Sequence, residues 1–309
     1  MLVRVVAAAA AVCAWCVSAD AQELPLFRSS VDVVPISAVV RDGRGRAVTT
    51  LKAADFEVRD NGEARPILRF ELDEGSPVSV AILIDVSGSM RLSSKLAAAR
   101  DVVSQLATAL RDGCDEVGVF AFDAGLHELQ PFTQHPAEAS TALRDVAPFG
   151  ATSLYDAIAE TAQRLGERPS LRRAIIVLTD GIDTGSTLAP SDVSARASAI
   201  DAPVYVVATV PRIDREMYQD RASSPNARAA ADARDLALWT GGDLLWASDA
   251  ADAAGSTKQI LAELRQQYLI AIEAATAGDW RALDVRVRGR RLQVRARSGY
   301  FSRGIGPSQ

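Results

Sequence analysis

The sequence predicts an α/β fold: a doubly wound, mostly parallel sheet inserted between N- and C-terminal β segments that together form a small β-sandwich. Three observations predict it. Between residues 76 and 267, short apolar runs alternate with segments whose apolar residues recur three and four apart, the pattern of buried strands joined by helices. On either side, residues 22–75 and 268–309 alternate apolar and polar positions, the pattern of antiparallel strands with one wet face. The 309 residues are 48% hydrophobic and 24% charged, with three cysteines. That composition excludes a disordered chain and a disulfide scaffold, and the length suggests about two domains.

The first 21 residues stand apart. Arg4 precedes an apolar run from Val5 to Val17, and Ala19-Asp20-Ala21 supplies a small-x-small cleavage site. Residues 1–21 are therefore expected to be a secretory signal peptide. The alternative is a retained anchor, but the apolar core is shorter than the roughly 20 residues a membrane span requires. Cleavage removes Cys13 and Cys16 and leaves Cys114, so no intramolecular disulfide can form and a hydrophobic core must hold the fold. The mature chain is expected to be secreted or periplasmic, without a stable membrane span. A net charge of −5 offers no basic excess for phosphates and argues against nucleic acid as a partner.

The N-terminal segment begins with an apolar stretch, Val31 to Val40. Phe56 and Val58 then lead to a hairpin signal at Asp60-Asn61-Gly62, and Ile67 to Leu72 continues in alternation. After Glu74-Gly75-Ser76-Pro77 the texture changes. Val78 to Ile84 is a nearly continuous apolar run, as a parallel strand covered on both faces requires. Leu96, Ala99, Val103, Leu106 and Leu110 form one helical stripe. Val117 to Phe122 is the next buried strand and Leu126 to Phe132 an edge strand beside it. Helices are expected over 137–146, 154–165, 191–200, 230–240 and 250–267, with strands over 174–178, 204–210 and 243–247. Beyond Gln267, short strands are expected over 268–272, 282–287 and 292–296. Neither terminal segment is large enough to fold comfortably alone, so the two are expected to pack together.

Chemistry concentrates in three places. Asp85-Val86-Ser87-Gly88-Ser89 follows the first buried strand, and its three oxygen side chains at alternate positions can turn toward one point. Thr152 lies in the Gly150-Ala151-Thr152-Ser153 loop before a helix, and Asp180 follows the strand ending in Thr179-Asp180-Gly181. In a doubly wound sheet the carboxyl ends of the central strands meet where ligands bind. One or two carboxylates with hydroxyls make a hard oxygen donor set, suited to Mg²⁺ or Mn²⁺ and not to Zn²⁺. Each motif alone is weak, because serine and aspartate also cap helices and make turns. All three in order, each at a strand end, is a strong pattern.

Together, Asp-x-Ser-x-Ser after an apolar strand, the later Gly-x-Thr-Ser-Leu-Tyr-Asp, and the strand ending in Thr-Asp-Gly resemble a von Willebrand factor A domain, over roughly residues 76–267. Leu-Trp-Thr-Gly-Gly-Asp at 238–243 resembles the approach to that family's last strand. The flanking β segments and the Gly299-Tyr300-Phe301 ending resemble a bacterial, exported subfamily. The resemblance implies a Rossmann-like sheet with a metal-ion-dependent adhesion site. Asp85, Ser87, Ser89, Thr152 and Asp180 match its five positions. It further implies bound Mg²⁺ (or Mn²⁺ or Ca²⁺), with Asp180 acting through water and one metal position left open for a carboxylate from the partner. The implied function is metal-dependent protein binding without catalysis. The site is expected at a loop rim rather than in the core. The alternative is a scaffold with a vestigial site whose loop residues only cap helices.

Other residues invite comparison. Asp183 and Asp156 lie near the motif loops and are read as supporting or solvated rather than ligating. His127 and His135 are read as surface residues, Cys114 as a small buried side chain, and Trp239 and Trp246 as core. Within residues 211–229, Arg212, Arg215, Arg221 and Arg228 lie in a basic, aperiodic loop; the plain reading is a mobile, solvated loop, and the sharper one places these arginines beside the metal, where they select an acidic partner. An enzyme reading finds less support. No Gly-x-Ser-x-Gly elbow occurs. A haloacid-dehalogenase-like phosphatase could use Asp85 as its nucleophile, but it also needs a lysine and a later acidic pair. Lys95 falls in the first helix, Lys258 in the last, and Gly242-Asp243 lacks a second aspartate at the required spacing.

Overall fold

The eight residues of Val78–Asp85 are all buried, and this strand organises the computed structural model. The structure describes residues 33–91, 93–144, 146, 150–170, 172–180, 183–215, 225–275 and 278–302. The expected signal peptide lies outside the described residues, as does the start of the N-terminal segment. The strands are β1 Val33–Arg41, β2 Phe56–Asp60, β3 Glu63–Arg65, β4 Ile67–Asp73, β5 Val78–Asp85, β6 Glu116–Phe122, β7 Leu126–Thr133, β8 Arg172–Thr179, β9 Val204–Ala208, β10 Leu244–Trp246, β11 Gln267–Glu273, β12 Trp280–Val287, β13 Gln293–Arg295 and β14 Gly299–Phe301. The helices are α1 Ser93–Ala109, α2 Leu154–Gly166, α3 Pro190–Ala199, α4 Pro225–Trp239 and α5 Ala250–Arg265.

A six-stranded sheet has the order β10-β9-β8-β5-β6-β7. Every neighbouring pair is parallel except β6 and β7, so β7 is the antiparallel edge strand expected from its sequence. Strand alternation divides the β5 side chains between two cores. Val80, Ile82 and Ile84 pack with α1 and α5 on one face, while Ala81 and Leu83 pack with α2, α3 and α4 on the other. Each large aliphatic side chain buried this way contributes about 1.5–3 kcal/mol. The doubly covered sheet explains why β5 lacks the polar alternation of the flanking strands.

Two four-stranded antiparallel sheets complete the fold, in the orders β13-β1-β11-β4 and β14-β12-β2-β3. Each mixes strands from both ends of the chain, because β1 pairs with β11 and β2 with β12. Their facing sides share one core, with Ile36, Val40, Tyr268 and Ile270 from the first sheet and Phe56, Val58 and Leu283 from the second. The architecture is therefore the predicted one: the α/β body sits between terminal strands that form a sandwich. The Asn61-Gly62 turn joins β2 to β3 with both residues at positive φ, 49° and 85°, as a tight hairpin requires.

Buried charge ties sandwich to body. Glu263 at the end of α5 accepts from Arg41 of β1 and Arg295 of β13, and Arg295 also pairs with Asp243. Arg172 of β8 meets Asp73 of β4 at 3.3 Å. Gly241 and Gly242 close α4 where no side chain fits. A Cβ on Gly242 would lie 2.0 Å from the Val204 carbonyl oxygen, and one on Gly241 would lie 2.9 Å from the Arg297 backbone nitrogen.

Several local expectations differ. Among the described residues of 137–146 there is no α-helix: the chain makes a 3-10 turn over Pro136–Thr141, begun by Pro136. α4 begins at Pro225, five residues earlier than periodicity indicated, because proline is well placed in a first helical turn. Cys114 is exposed, lying in the turn between α1 and β6. Trp239, near the end of α4, is 39% exposed rather than core, and Trp246 is only partly buried. Among the described residues, no helix is long and apolar enough to cross a membrane.

Candidate metal centre

The strand order reverses between β5 and β8: from β5 the chain moves outward to β6 and then returns to the other side at β8. Asp85 and Asp180 follow these two strands, so both stand at the switch point, where an open α/β sheet forms its ligand crevice. In the parallel register Ile84 pairs with Leu178. That pairing sets Asp85 beside Thr179, whose Oγ1 donates to Asp85 Oδ2 at 2.6 Å. The Ser87 backbone N–H donates to Oδ1 of the same carboxylate at 2.8 Å.

The loop after β5 turns back immediately. Val86 N–H donates to the Phe122 carbonyl, tying it to β6, and Gly88 N–H donates to the Gly150 carbonyl at 3.1 Å, tying it to the Thr152 loop. The Ser87 and Ser89 hydroxyls lie 3.0 Å apart. Thr152 is fixed by its backbone: its N–H donates to Thr184 Oγ1 at 3.0 Å, and its carbonyl accepts from the N–H groups of Thr184 and Gly185 at 2.9 Å. Asp183 and Asp156 brace these loops. Asp183 accepts from Leu154 N–H at 2.8 Å, and Asp156 accepts from the Thr187 and Leu188 N–H groups. Both act as supports, as read from the sequence.

The site lies deeper than a loop rim. Asp85, Ser87, Thr152 and Asp180 are buried, and of the five residues Ser89 alone is exposed. Burial pushes the Asp85 carboxyl above its usual range and the nearby Asp180 charge adds to this, against the hydrogen bonds from Thr179 and Ser87. Asp180 Oδ1 is buried without a hydrogen-bond partner among the described residues, which is costly for a carboxylate oxygen unless a cation or water completes it. Its Oδ2 accepts from Lys95 Nζ at 2.9 Å. The residues fit a hard divalent ion: the donors are all oxygen, two are carboxylates, and one carboxylate oxygen lacks a partner.

Two contributors escaped sequence reasoning. Lys95 was placed only within the first helix, yet the structure brings it to Asp180. Thr179 appeared only as part of a turn motif, yet it holds Asp85. The rarity of lysine, three in the whole chain, was the one available signal for Lys95.

Two arginines of the loop after β9 lie among the described residues, and both depart from the reading that places them beside the metal. Arg212 pairs with Asp249 at 2.8 Å and with Asp252 at 3.3 Å. Arg215 donates to Ser248 Oγ, pairs with Asp252 and stacks 5.2 Å from the Trp246 ring centroid. These two arginines are committed to the start of α5 rather than presented beside the metal site. Arg221 and the Arg228 side chain lie outside the described residues. His127 and His135 are exposed, beside Asp123 and Asp112.

The chain resembles an aerotolerance-related membrane protein of Bacteroides fragilis at 22% identity, over 60% of this chain and 98% of that one, with a TM-score of 0.48. It resembles a von Willebrand factor type A protein of Catenulispora acidiphila at 17% identity, over 76% and 72%, with a TM-score of 0.48. It resembles the PilB minor pilin of Streptococcus sanguinis at 14% identity, over 62% and 61%, with a TM-score of 0.45. Among curated proteins none matches. Residues 80–182, which contain all five candidate site residues, match the model of the von Willebrand factor type A domain.

Proposed function

We propose that this chain is an exported, metal-dependent protein-binding module. In this reading Ser87, Ser89 and Thr152 offer hydroxyl oxygens to Mg²⁺ (or Mn²⁺ or Ca²⁺), Asp85 contributes a carboxylate, and Asp180 anchors the ion through water. The bound ion would offset the two carboxylates and offer an open coordination position for a carboxylate of the partner protein. The chain's own residues position the donors: Thr179 and Ser87 N–H orient Asp85, and the Gly88–Gly150 and Thr152–Thr184 bonds hold the serine and threonine loops together. Domains of this family are interaction modules, which favours binding over catalysis.

The observation that carries the reading is Asp180 Oδ1, buried at the switch point with no hydrogen-bond partner among the described residues. Export rests on the cleavage pattern at Ala19-Asp20-Ala21. Titration of the metal-stripped chain with Mg²⁺, followed by binding of a glutamate-bearing peptide with and without EDTA, tests it. Saturable Mg²⁺ binding and EDTA-sensitive capture of the glutamate peptide, but not its glutamine counterpart, are expected. No Mg²⁺ binding would leave a scaffold with a vestigial site.

A further inference from the structure

We propose that Lys95 is the resident counter-cation of this site: its ammonium holds Asp180 when no divalent ion is bound, and loading the site exchanges that ammonium for the metal. The inference rests on the metal reading above and concerns how the site is controlled.

Lys95 is the third residue of α1, the helix that begins just beyond the Asp85–Ser89 motif. A cation there is poorly placed for the helix itself, because the first turn carries the positive end of the macrodipole and prefers acidic groups. The first turn of α1 holds no acidic residue to offset it. The compensation comes from elsewhere in the chain. Lys95 Nζ lies 2.9 Å from Asp180 Oδ2, with the lysine side chain 12% exposed and the aspartate side chain 1% exposed. The ammonium is thus folded into the crevice instead of extending into solvent, the usual place for a lysine head group.

Charge explains why it stays there. Asp85 and Asp180 are both fully buried, and their charges repel. Two such carboxylates without a cation would carry an uncompensated buried charge. Lys95 cancels one of them. A divalent ion would cancel both, and it would meet the Lys95 charge at the same carboxylate. The like charges cannot comfortably share Asp180, and lysine's flexible four-carbon stem lets the ammonium leave. The metal-free domain therefore keeps a neutralised Asp180, and metal affinity is set by competition with a side chain of the same molecule.

The test measures Mg²⁺ affinity by calorimetry on the metal-stripped full chain for wild type, Lys95→Met, Lys95→Arg and Arg100→Met. Arg100→Met removes a charge from the same helix at a residue that hydrogen-bonds the Leu143 carbonyl rather than Asp180. Lys95→Met is expected to bind Mg²⁺ tighter by on the order of tenfold, since it removes a competing charge from a buried partner. Lys95→Arg should bind no tighter than wild type, and Arg100→Met should stay within about twofold of it. In EDTA, Lys95→Met should melt below wild type, with the gap closing at saturating Mg²⁺. Lys95→Gln keeps a hydrogen bond to Asp180 without the charge and reads the same exchange if the methionine variant does not fold. Equal affinity in wild type and the neutral variants would overturn this proposal alone. So would equal tightening by Lys95→Met and Arg100→Met. Absence of Mg²⁺ binding in every protein would overturn the metal reading and this proposal with it.

Discussion

Thr179 and Asp85, 94 residues apart in sequence, meet through a 2.6 Å hydrogen bond at the ends of adjacent parallel strands. The strand register creates the contact, and the contact aims the carboxylate. Asp85 is fully buried, so its orientation depends on Thr179 Oγ1 and the Ser87 N–H rather than on solvent.

Thr179→Val keeps the shape of a buried strand residue and removes the donor. It should destabilise the metal-free chain by about 1–3 kcal/mol, the cost of leaving a buried acceptor short of a partner. Urea denaturation in EDTA measures this. Unchanged stability would mean that Asp85 finds another donor or water in place of the hydroxyl.

Mg²⁺ should stabilise the wild type by mass action, by about 2.7 kcal/mol at a hundredfold excess over Kd. Asp85→Asn should abolish most of that increment, because the amide loses the charge yet retains the size of the side chain. Thermal melts with Mg²⁺ and with EDTA provide the comparison. Identical wild-type melts in the two conditions would contradict the metal assignment.

Asp115 links the body's strands to its helices. It accepts from the Arg111 side chain and N–H, from Val78 N–H and from Arg265. Burial alone would raise its carboxyl, but the bonds from Arg111 and Val78 outweigh burial and hold it below its ordinary value of 3.8. A lowered folded-state value means that the unfolded chain binds the proton first as pH falls. The stability this group contributes is therefore complete above about pH 4 and is lost as pH drops through the folded value. Asp115→Asn should cost about 2 kcal/mol at neutral pH and flatten the acid limb of the stability curve. Denaturation midpoints from pH 7 to pH 3 test both effects; parallel curves for variant and wild type would exclude the linkage.

Gly242→Ala should be among the most damaging single changes. Its new methyl group would sit 2.0 Å from the Val204 carbonyl oxygen, a backbone atom at the start of β9 that cannot move alone. A loss on the order of 3 kcal/mol or more is expected, read as a fall in melting temperature or in soluble yield. Gly255→Ala offers a control, because nothing lies within 4 Å of the added carbon. Equal behaviour of the two variants would show that the close approach at Gly242 relaxes easily.

Much of the architecture was legible because strand texture reports burial on each face. The run Val78 to Ile84 announced a doubly covered strand, and the alternation at Ile67 to Leu72 announced a one-sided one. The ten-residue helix expected over 137–146 failed because apolar spacing was weighed above Pro136, whose ring favours a turn start and whose successors form only a 3-10 segment. α4 was set too late because small alanines around 229–231 carry little periodic signal. Cys114 and Trp239 differ from expectation because residue type predicts burial only on average: Cys114 falls in a turn, and Trp239 ends α4 with its ring partly in solvent.

Sequence by itself determined which oxygen side chains gather at the candidate site. Oxygen side chains at Asp85, Ser87, Ser89, Thr152 and Asp180 each follow or precede a recognisable strand or helix, and local spacing is enough to place them at element ends. Only tertiary structure decided how deep they lie and what holds them. Thr179 reaches Asp85 through strand register, Lys95 reaches Asp180 across the crevice, and Arg212 and Arg215 turn away to Asp249 and Asp252. These partners are separated by between 37 and 94 positions along the chain, and no periodicity of a single element encodes such pairings. They arise because packing β8 against β5, and β9 beside β10, brings distant side chains together; at Asp85 and Asp180 the buried carboxylates must then find an opposite charge or a hydrogen-bond donor.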